Sequence, residues 1–164
     1  TYGADGPPDA MNAAWGGISD DTQLSVCVAA EHKSAENFAA CGAFTVSMAT
    51  AAYVEECDYL GVVSGNDVPD KLARSGLHVE RAGHVNAPLI SELPLTIECE
   101  LVSYDPESCR LVGEIVNVSA DESILGPDGK IDVDKLQPIS FDPVHNTYRV
   151  LGAVVGQAFT AGER

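Results

Sequence analysis

Hydrophobic and polar residues alternate most regularly between residues 95 and 104. Apolar residues at 95, 97 and 99 are separated by Thr96, Glu98 and Glu100, which is the period of a strand with one buried face. A turn at 105–108 leads to a second predicted strand over 110–118. This second strand carries apolar residues on both faces, which is typical of a barrel wall that also meets a partner.

Shorter apolar runs and turn residues predict the remaining elements. We expect strands over 24–30 and 44–48 and extended or irregular segments at 77–79 and 87–90, and two stretches, 141–152 and 154–159, close the chain. We expect helices over 34–41, capped by Ser34 and ended by Gly42, over 51–63, and as single turns at 70–74 and 132–136. Many short strands with few short helices indicate a mainly β, α+β fold of antiparallel strands. No Gly-rich turn joins a strand to a helix, which excludes a Rossmann fold.

The chain is acidic, with 25 Asp and Glu against 9 Lys and Arg and a formal net charge of −16. We therefore expect neither nucleic acid nor a membrane as partner, because anionic polymers and lipids are bound by basic surfaces. No apolar run approaches the roughly 20 residues that span a bilayer, and no signal-peptide pattern opens the chain. The length of 164 residues favours one domain over 1–164.

Five cysteines, at 27, 41, 57, 99 and 109, fit no metal-ligand spacing, and no Cys/His cluster suggests a metal. We expect all five to be reduced and structural, which fits a cytoplasmic protein. Cys57 and Cys109 have the neighbourhoods that look more exposed, and they are the candidates for a reactive thiol.

Asn12-Ala13-Ala14-Trp15 is a turn of small residues that ends at the only tryptophan. Small residues let backbone groups approach a flat ring closely, and Trp15 can form the wall of such a pocket. The alternative is a core tryptophan behind a tight turn.

Two basic segments are candidates for binding a phosphate. His32-Lys33-Ser34 opens a predicted helix with a cation, a hydroxyl and free amides, although an ordinary Ser cap beside a solvated lysine is the alternative. Lys71 follows a glycine-containing turn and could reach an anion or simply lie at the surface. A further basic patch could receive the phosphates of a nicotinamide cofactor, but we favour a solvated surface there; its members are Arg74, His78, Arg81 and His84.

In their order along the chain, these segments resemble the flavin reductase-like family, whose split β-barrel binds FMN. The resemblance covers nearly the whole chain and rests on Asn12 to Trp15, His32 to Asn37, Phe44 to Ser47, Ser64-Gly65, Asp70-Lys71, Gly76-Leu77 and Gly113 to Val116. The closing Tyr148-x-x-Leu-Gly is similar to the flavoredoxin-like subgroup. The family has a further strand, within roughly 20 residues, before the Asn12 segment, so we expect a split-barrel domain that lacks its N-terminal strand.

The resemblance implies FMN as the cofactor and gives each candidate residue a role. Asn12, Ala13, Ala14 and Trp15 would lie against the isoalloxazine and ribityl groups, and Ser47 near the polar edge of the ring. Lys33, Ser34 and Lys71, with His32 beside them, would serve the phosphate. Family members are usually homodimers with the flavin near the subunit interface. The flavin itself carries the redox chemistry, so we name no acid–base residue and the catalytic residues stay unknown.

Three functions remain open on the sequence. The leading one is an FMN-binding oxidoreductase that passes electrons from NADH or NADPH to FMN. The alternative is a flavoredoxin-type electron-transfer protein with bound FMN and a protein redox partner, which the acidic surface would steer. The third is a split-barrel domain without turnover.

Overall fold

The computed structural model describes residues 1–4 and 6–163, which form mainly antiparallel strands with few short helices. In chain order the strands are β1 Gly16–Asp20, β2 Gln23–Cys27, β3 Ala43–Ser47, β4 Val79–Arg81, β5 Pro88–Ile90, β6 Leu95–Asp105, β7 Arg110–Ala120, β8 Ile139–Asp142 and β9 Thr147–Val150. The helices are α1 Lys33–Cys41, α2 Val54–Val62, α3 Lys71–Arg74 and α4 Val133–Leu136, with single 3₁₀ turns at Ala51–Tyr53 and Glu122–Ile124. These elements confirm the expected fold class. Among the described helices, none has the length and apolar character to cross a membrane.

The main sheet has the strand order β1-β2-β7-β6-β3 and is built on the long β6–β7 hairpin. These two strands pair from Leu95 opposite Ala120 to Asp105 opposite Arg110, with two irregularities in the register. β2 pairs with β7 only over residues 110–114. Within the described residues, the second half of β7 therefore has a strand partner on one edge only.

The core lies on one face of this sheet and under α1. It is formed by Leu24, Val26, Val28, Ala35, Phe38, Phe44, Ile97, Cys99 and Leu111. Gly113 sits in the middle of this face, where a Cβ atom would overlap the Phe44 ring and lie 3.0 Å from Cys99 Cβ. The glycine is thus required by the close approach of the aromatic ring to the strand.

The opposite face of β6 is also buried, although it carries Glu98. The loop after β4 covers it with Ala82, Val85 and Ala87. Glu98 accepts hydrogen bonds from the backbone amide of His84 at 2.7 Å and from Asn117 Nδ2 at 2.8 Å. Burial acts to raise the pKa of Glu98, but the hydrogen bonds outweigh it and hold the pKa below its usual value. The charged carboxylate therefore fixes this loop to the sheet.

Pairing decides which segments form strands at the two ends of the chain. β1 was not expected, because Gly16 and Gly17 have low strand propensity; its pairing with β2 makes it a strand. Of the two stretches that close the chain, 141–152 contains paired strands, whereas 154–159 has no strand partner and forms no strand. An apolar run thus becomes a strand only where a partner edge is available.

Two smaller predictions were wrong. Ser34 does not cap α1: the N-cap is His32, and the Ser34 hydroxyl donates to Asp9 instead. Cys57 is buried, and burial raises the pKa of its thiol to about 11. Cys57 is therefore a core residue, whereas Cys27 is the exposed cysteine.

Candidate functional site

A small cleft brings four of the predicted phosphate-binding residues together. It has a volume of about 80 Å³ and lies between the start of α1, the end of α2 and the segment before Asn12. Its lining includes His32, Lys33, Ser34, Lys71, Asp9, Met11 and residues 60–65. The sequence did not indicate Asp9, which lies in a Gly- and Pro-rich loop without any periodic pattern.

Asp9 joins Ser34 and Lys71 in a buried network at the base of this cleft. Ser34 Oγ donates to Asp9 Oδ2 at 2.9 Å, and Lys71 Nζ lies 3.6 Å from Asp9 Oδ1. Lys71 Nζ also donates to the carbonyl oxygens of Leu60 at 3.0 Å and Val63 at 2.9 Å. The Lys71 side chain is only 3% exposed. Its ammonium group is thus directed at protein atoms rather than at the cleft opening.

Desolvation dominates the electrostatics of Lys71. Burial lowers its pKa, while the nearby Asp9 carboxylate acts in the opposite direction. Because Asp9 and Lys71 carry opposite charges, the base of the cleft has little net charge. The geometry favours a structural role for Lys71, and its role as a phosphate ligand stays a prediction.

The remaining cationic groups are closer to solvent. Lys33 is about one-third exposed and forms an ion pair with Glu36, one turn along α1, at 2.8 Å. His32 is exposed at the N-cap position. The first amides of any helix lack intrahelical acceptors and carry the positive end of the helix dipole. His32, Lys33 and these amides form the donor set that an anion could reach.

Ala13, Ala14 and Trp15 form an exposed platform of small and aromatic residues, and the half-buried Asn12 links this platform to the cleft. Trp15 is 56% exposed, and its ring packs edge-on against Phe141 with the centroids 6.3 Å apart. Ala13 and Ala14 are also exposed. The alternative of a core tryptophan is thus wrong for this chain.

Asn12 is held by the C-terminal hairpin β8–β9. Its Nδ2 donates to Tyr148 Oη at 3.3 Å, and Tyr148 Oη donates to Asp58 Oδ1 at 2.7 Å. A Cβ atom at Gly61 would lie 3.0 Å from Asn12 Cβ, and Gly61 also lines the cleft. The platform and the cleft are therefore neighbours.

Sequence reasoning did not include Phe141, Tyr148 or Asp58 in the site. Tyr148 belongs to the Tyr-x-x-Leu-Gly segment, which was the only signal that pointed to it. The contact with Asn12 spans 136 positions, so no local pattern could reveal it.

Ser47 is the one predicted site residue that stays apart. It lies at the end of β3, and its hydroxyl shares a hydrogen bond with Thr96 Oγ1 at 2.8 Å. Among the described residues, no hydrogen bond connects its side chain to the cleft or to the platform. Its place near the flavin ring stays a prediction.

Three of the four members of the basic patch near α3 contact neighbouring carboxylates, and Arg81 lies near the Asn86 side chain. Arg74 pairs with Asp70 at 2.9 Å. His78 and His84 contact Glu92 at 2.5 Å and Glu98 at 3.2 Å, respectively. These contacts favour the alternative of a solvated surface over a second phosphate site.

Comparison with known proteins identifies the fold family. The family model described as "Flavin reductase like domain" matches residues 3–136. The chain belongs to the flavin reductase-like family. Its match with the flavoredoxin of Desulfovibrio vulgaris (Miyazaki F) has 36% identity and a TM-score of 0.93 over 99% of this chain and 89% of that chain. The flavoredoxin from Methanosarcina acetivorans is 28% identical, with a TM-score of 0.86 over 94% and 83% of the two chains.

A more distant solved structure adds the fold alone, and two sequence relatives match parts of the chain. An FMN-binding domain of a flavin reductases-like enzyme from Shewanella baltica OS155 is 18% identical, with a TM-score of 0.81 over 91% of this chain and 82% of that chain. An uncharacterized protein of Aeropyrum pernix is 32% identical over 94 residues, which are 56% of this chain and 36% of that protein. An Aquifex aeolicus protein is 26% identical over 58% of this chain and 50% of its own length. The chain thus spans about a third to a half of these curated relatives. The family and the split-barrel fold expected from the sequence are confirmed.

The residues of the site fit both main parts of FMN, the flat ring and the phosphate. An exposed aromatic platform with small neighbours suits a flat ring. Beside it, a helix start with His32 and Lys33 suits a phosphate. The Asp9 carboxylate opposes an anion, but its charge is balanced by Lys71 at 3.6 Å.

Proposed function

We propose that residues 1–164 form a single split-barrel domain that works as an FMN-binding oxidoreductase of the flavin reductase type. The observation that carries this proposal is the exposed Trp15 platform, which Asn12 connects to the cleft at the start of α1 through its contact with Gly61. The family membership supports flavin as the ligand. When bound, flavin supplies hydride and single-electron chemistry, for which the protein needs no acid–base residue of its own.

The residues of this chain bind and orient the cofactor. Trp15 forms a wall for the ring, and the exposed Ala13 and Ala14 allow close approach of the backbone. His32, Lys33 and the first amides of α1 bind the phosphate. Ser34 and Lys71 act through Asp9, which they hold in place at the base of the cleft.

A reduced nicotinamide, NADH or NADPH, is the proposed electron donor. The second candidate is a flavoredoxin-type electron carrier with a protein redox partner. It is favoured by the 36% identity to a flavoredoxin across 99% of this chain, and the net charge of −16 would steer a basic partner. The five free cysteines support a reducing compartment such as the cytoplasm.

We further propose a homodimer. Exposed apolar residues on the main sheet support it: Trp15, Ile18, Val116 and Val118. Exposed apolar side chains that cluster on a surface often mark an interaction site, and Val116 and Val118 lie two positions apart on β7. The flavin platform includes Trp15, so the dimer interface would adjoin the cofactor.

A visible spectrum of the purified protein tests these functions. We expect a yellow protein, or one that becomes yellow with FMN, that is bleached anaerobically by NADH or NADPH within seconds. Bleaching by a reduced protein donor but not by either nicotinamide would select the electron carrier. A colourless protein that does not bind FMN would refute both functions.

A further inference from the structure

The last described residues, 151–163, leave the body of the protein as an exposed apolar arm. Val154, Val155 and Phe159 are each more than nine-tenths exposed. The hydrogen bonds of this stretch in the described structure join residues within it, such as Thr160 N to Gln157 O. Exposed apolar side chains are unfavourable in water. We therefore expect the arm to lie against a surface that the same chain does not provide.

The arm is shared with a similar protein of known structure. The match to the D. vulgaris flavoredoxin covers 99% of this chain with a TM-score of 0.93, so the arm lies within the aligned part. The family-model match, in contrast, ends at residue 136. The arm thus lies, together with β8 and β9, beyond the part matched by the family model but within the part aligned with that flavoredoxin.

The main sheet provides exposed apolar residues against which the apolar arm could pack. Val116 and Val118 are exposed on the half of β7 that pairs only with β6, and Trp15 and Ile18 are exposed at the β1 edge. We call these four residues the open sheet surface. The free edge of β7 also presents peptide groups that can pair with an extended segment.

Charge favours a second copy of this chain as the occupant of that surface. Residues 151–162 contain no charged side chain, although the chain as a whole carries −16. Two such copies repel each other wherever their acidic surfaces meet, so they must associate through neutral contacts. Residues 151–162 of the arm and the four residues of the open sheet surface carry no charge. An anionic lipid surface would be repelled by the same net charge.

The dimensions also allow exchange between two copies. Fully extended, residues 151–163 reach at most about 40 Å, whereas a domain of this length has a radius of gyration of roughly 15 Å. Stable interfaces use roughly 20–30 residues on each side. In a two-fold dimer each chain would contribute both an arm and the surface that receives one.

We propose that residues 151–163 form an exchange arm that lies on the open sheet surface of a second copy of this chain. This inference rests on the homodimer proposed above, and it names the residues that build the interface. Because Trp15 belongs to the open sheet surface, the arm of one chain would also border the flavin platform of the other.

Complementation between two variants tests this exchange. The arm variant Val155→Asp/Phe159→Asp keeps the open sheet surface, and the surface variant Val118→Asp keeps the arm. Thr160→Asp is the matched control, because it adds a charge to the arm without removing an apolar side chain. Light scattering at micromolar concentration gives the mass, and circular dichroism confirms folding.

We expect the wild type and the control to be dimers, and each variant alone to dimerise at least tenfold more weakly. An equimolar mixture restores one intact arm–surface pair and should recover part of the dimer. A chain that ends at Val150 replaces the arm variant if that variant does not fold, since the arm contains no buried residue.

Other results overturn the inference in distinguishable ways. If both variants remain dimers, the exchange arm is refuted while the homodimer stands. If the mass is unchanged but the variants melt at lower temperature, the arm packs on its own chain. If the wild type is a monomer, the homodimer itself is refuted. FMN binding, followed by flavin fluorescence, is scored separately and decides the proposed function.

Discussion

Replacement of Lys71 by methionine tests whether the Lys71 ammonium group stabilises the fold or binds the phosphate directly. The Lys71→Met change keeps the apolar stem but leaves the Asp9 carboxylate, which is 7% exposed, without its counter-charge. The carbonyl oxygens of Leu60 and Val63 lose their donor as well. Removing one partner of a buried ion pair typically costs about 3–5 kcal/mol. We expect a loss of that size in the free energy of unfolding, measured by urea denaturation.

Lys33→Met is the matched control, because Lys33 is partly exposed and its partner Glu36 lies at the surface. Loss of such a pair changes stability by less than about 1 kcal/mol. If Lys33 binds the phosphate, FMN affinity should fall by about 1.5–3 kcal/mol, as for a charged hydrogen bond, which is roughly 10- to 100-fold. Riboflavin, which has no phosphate, should bind equally well to Lys33→Met and to the wild type.

The double variant Asp9→Asn/Lys71→Met provides the decisive comparison. It removes both charges, so we expect a loss of only about 1–3 kcal/mol for the unpaired carbonyl groups, less than for Lys71→Met alone. FMN affinity, which the unbalanced Asp9 carboxylate should lower in Lys71→Met, should return towards the wild-type value in the double variant. The structural role of Lys71 would be refuted by a stable Lys71→Met protein, or by a double variant that has lost FMN affinity selectively over riboflavin.

Three further predictions concern the sheet. Gly113→Ala should lower the free energy of unfolding by about 1–3 kcal/mol, because the added methyl group overpacks against Phe44. The control Gly17→Ala, with nothing within 4 Å of its Cβ position, should lower it by less than about 1 kcal/mol. Equal urea midpoints for the two variants would contradict this. Glu98→Gln should reduce stability most above pH 5. The pKa of Glu98 is lowered in the folded protein, so its carboxylate stabilises the fold above the unfolded pKa of about 4.3, and this contribution disappears as the pH falls through the folded pKa. A stability difference between variant and wild type that is constant from pH 3.5 to 7 would rule this out. Val116→Asp should dissociate the proposed dimer without unfolding the monomer, whereas Ile115→Asp, on a side chain packed against the core, should unfold it; light scattering and circular dichroism distinguish the two results.

Regular patterns predicted the centre of the fold well. The alternation at residues 95–101 indicated β6, and the Gly42 signal matched the observed end of α1, where Gly42 has a φ of 69°. Both features depend on local sequence, which is why they could be predicted. β1 could not be, because its two glycines carry no strand signal and its conformation depends on pairing with β2.

The candidate site was located by the sequence, but its chemistry was only partly predicted. His32, Lys33, Ser34 and Lys71 do line one cleft. The sequence could not show that Lys71 is buried, because its partner Asp9 lies 62 positions earlier in a loop without a pattern. For the same reason, the contacts of Trp15 with Phe141 and of Asn12 with Tyr148 became visible only in three dimensions.

The buried Asp9–Lys71 pair also explains how an acidic chain could bind a dianionic cofactor. Charges more than about 10 Å apart are largely screened at physiological salt, so the net charge of −16 matters less than the groups around the cleft. There, Lys71 balances Asp9, while His32, Lys33 and the start of α1 remain closest to the opening. The local field is therefore set by the helix and Lys33. On this argument Lys71 contributes to FMN binding without touching the phosphate, by keeping a carboxylate from repelling it.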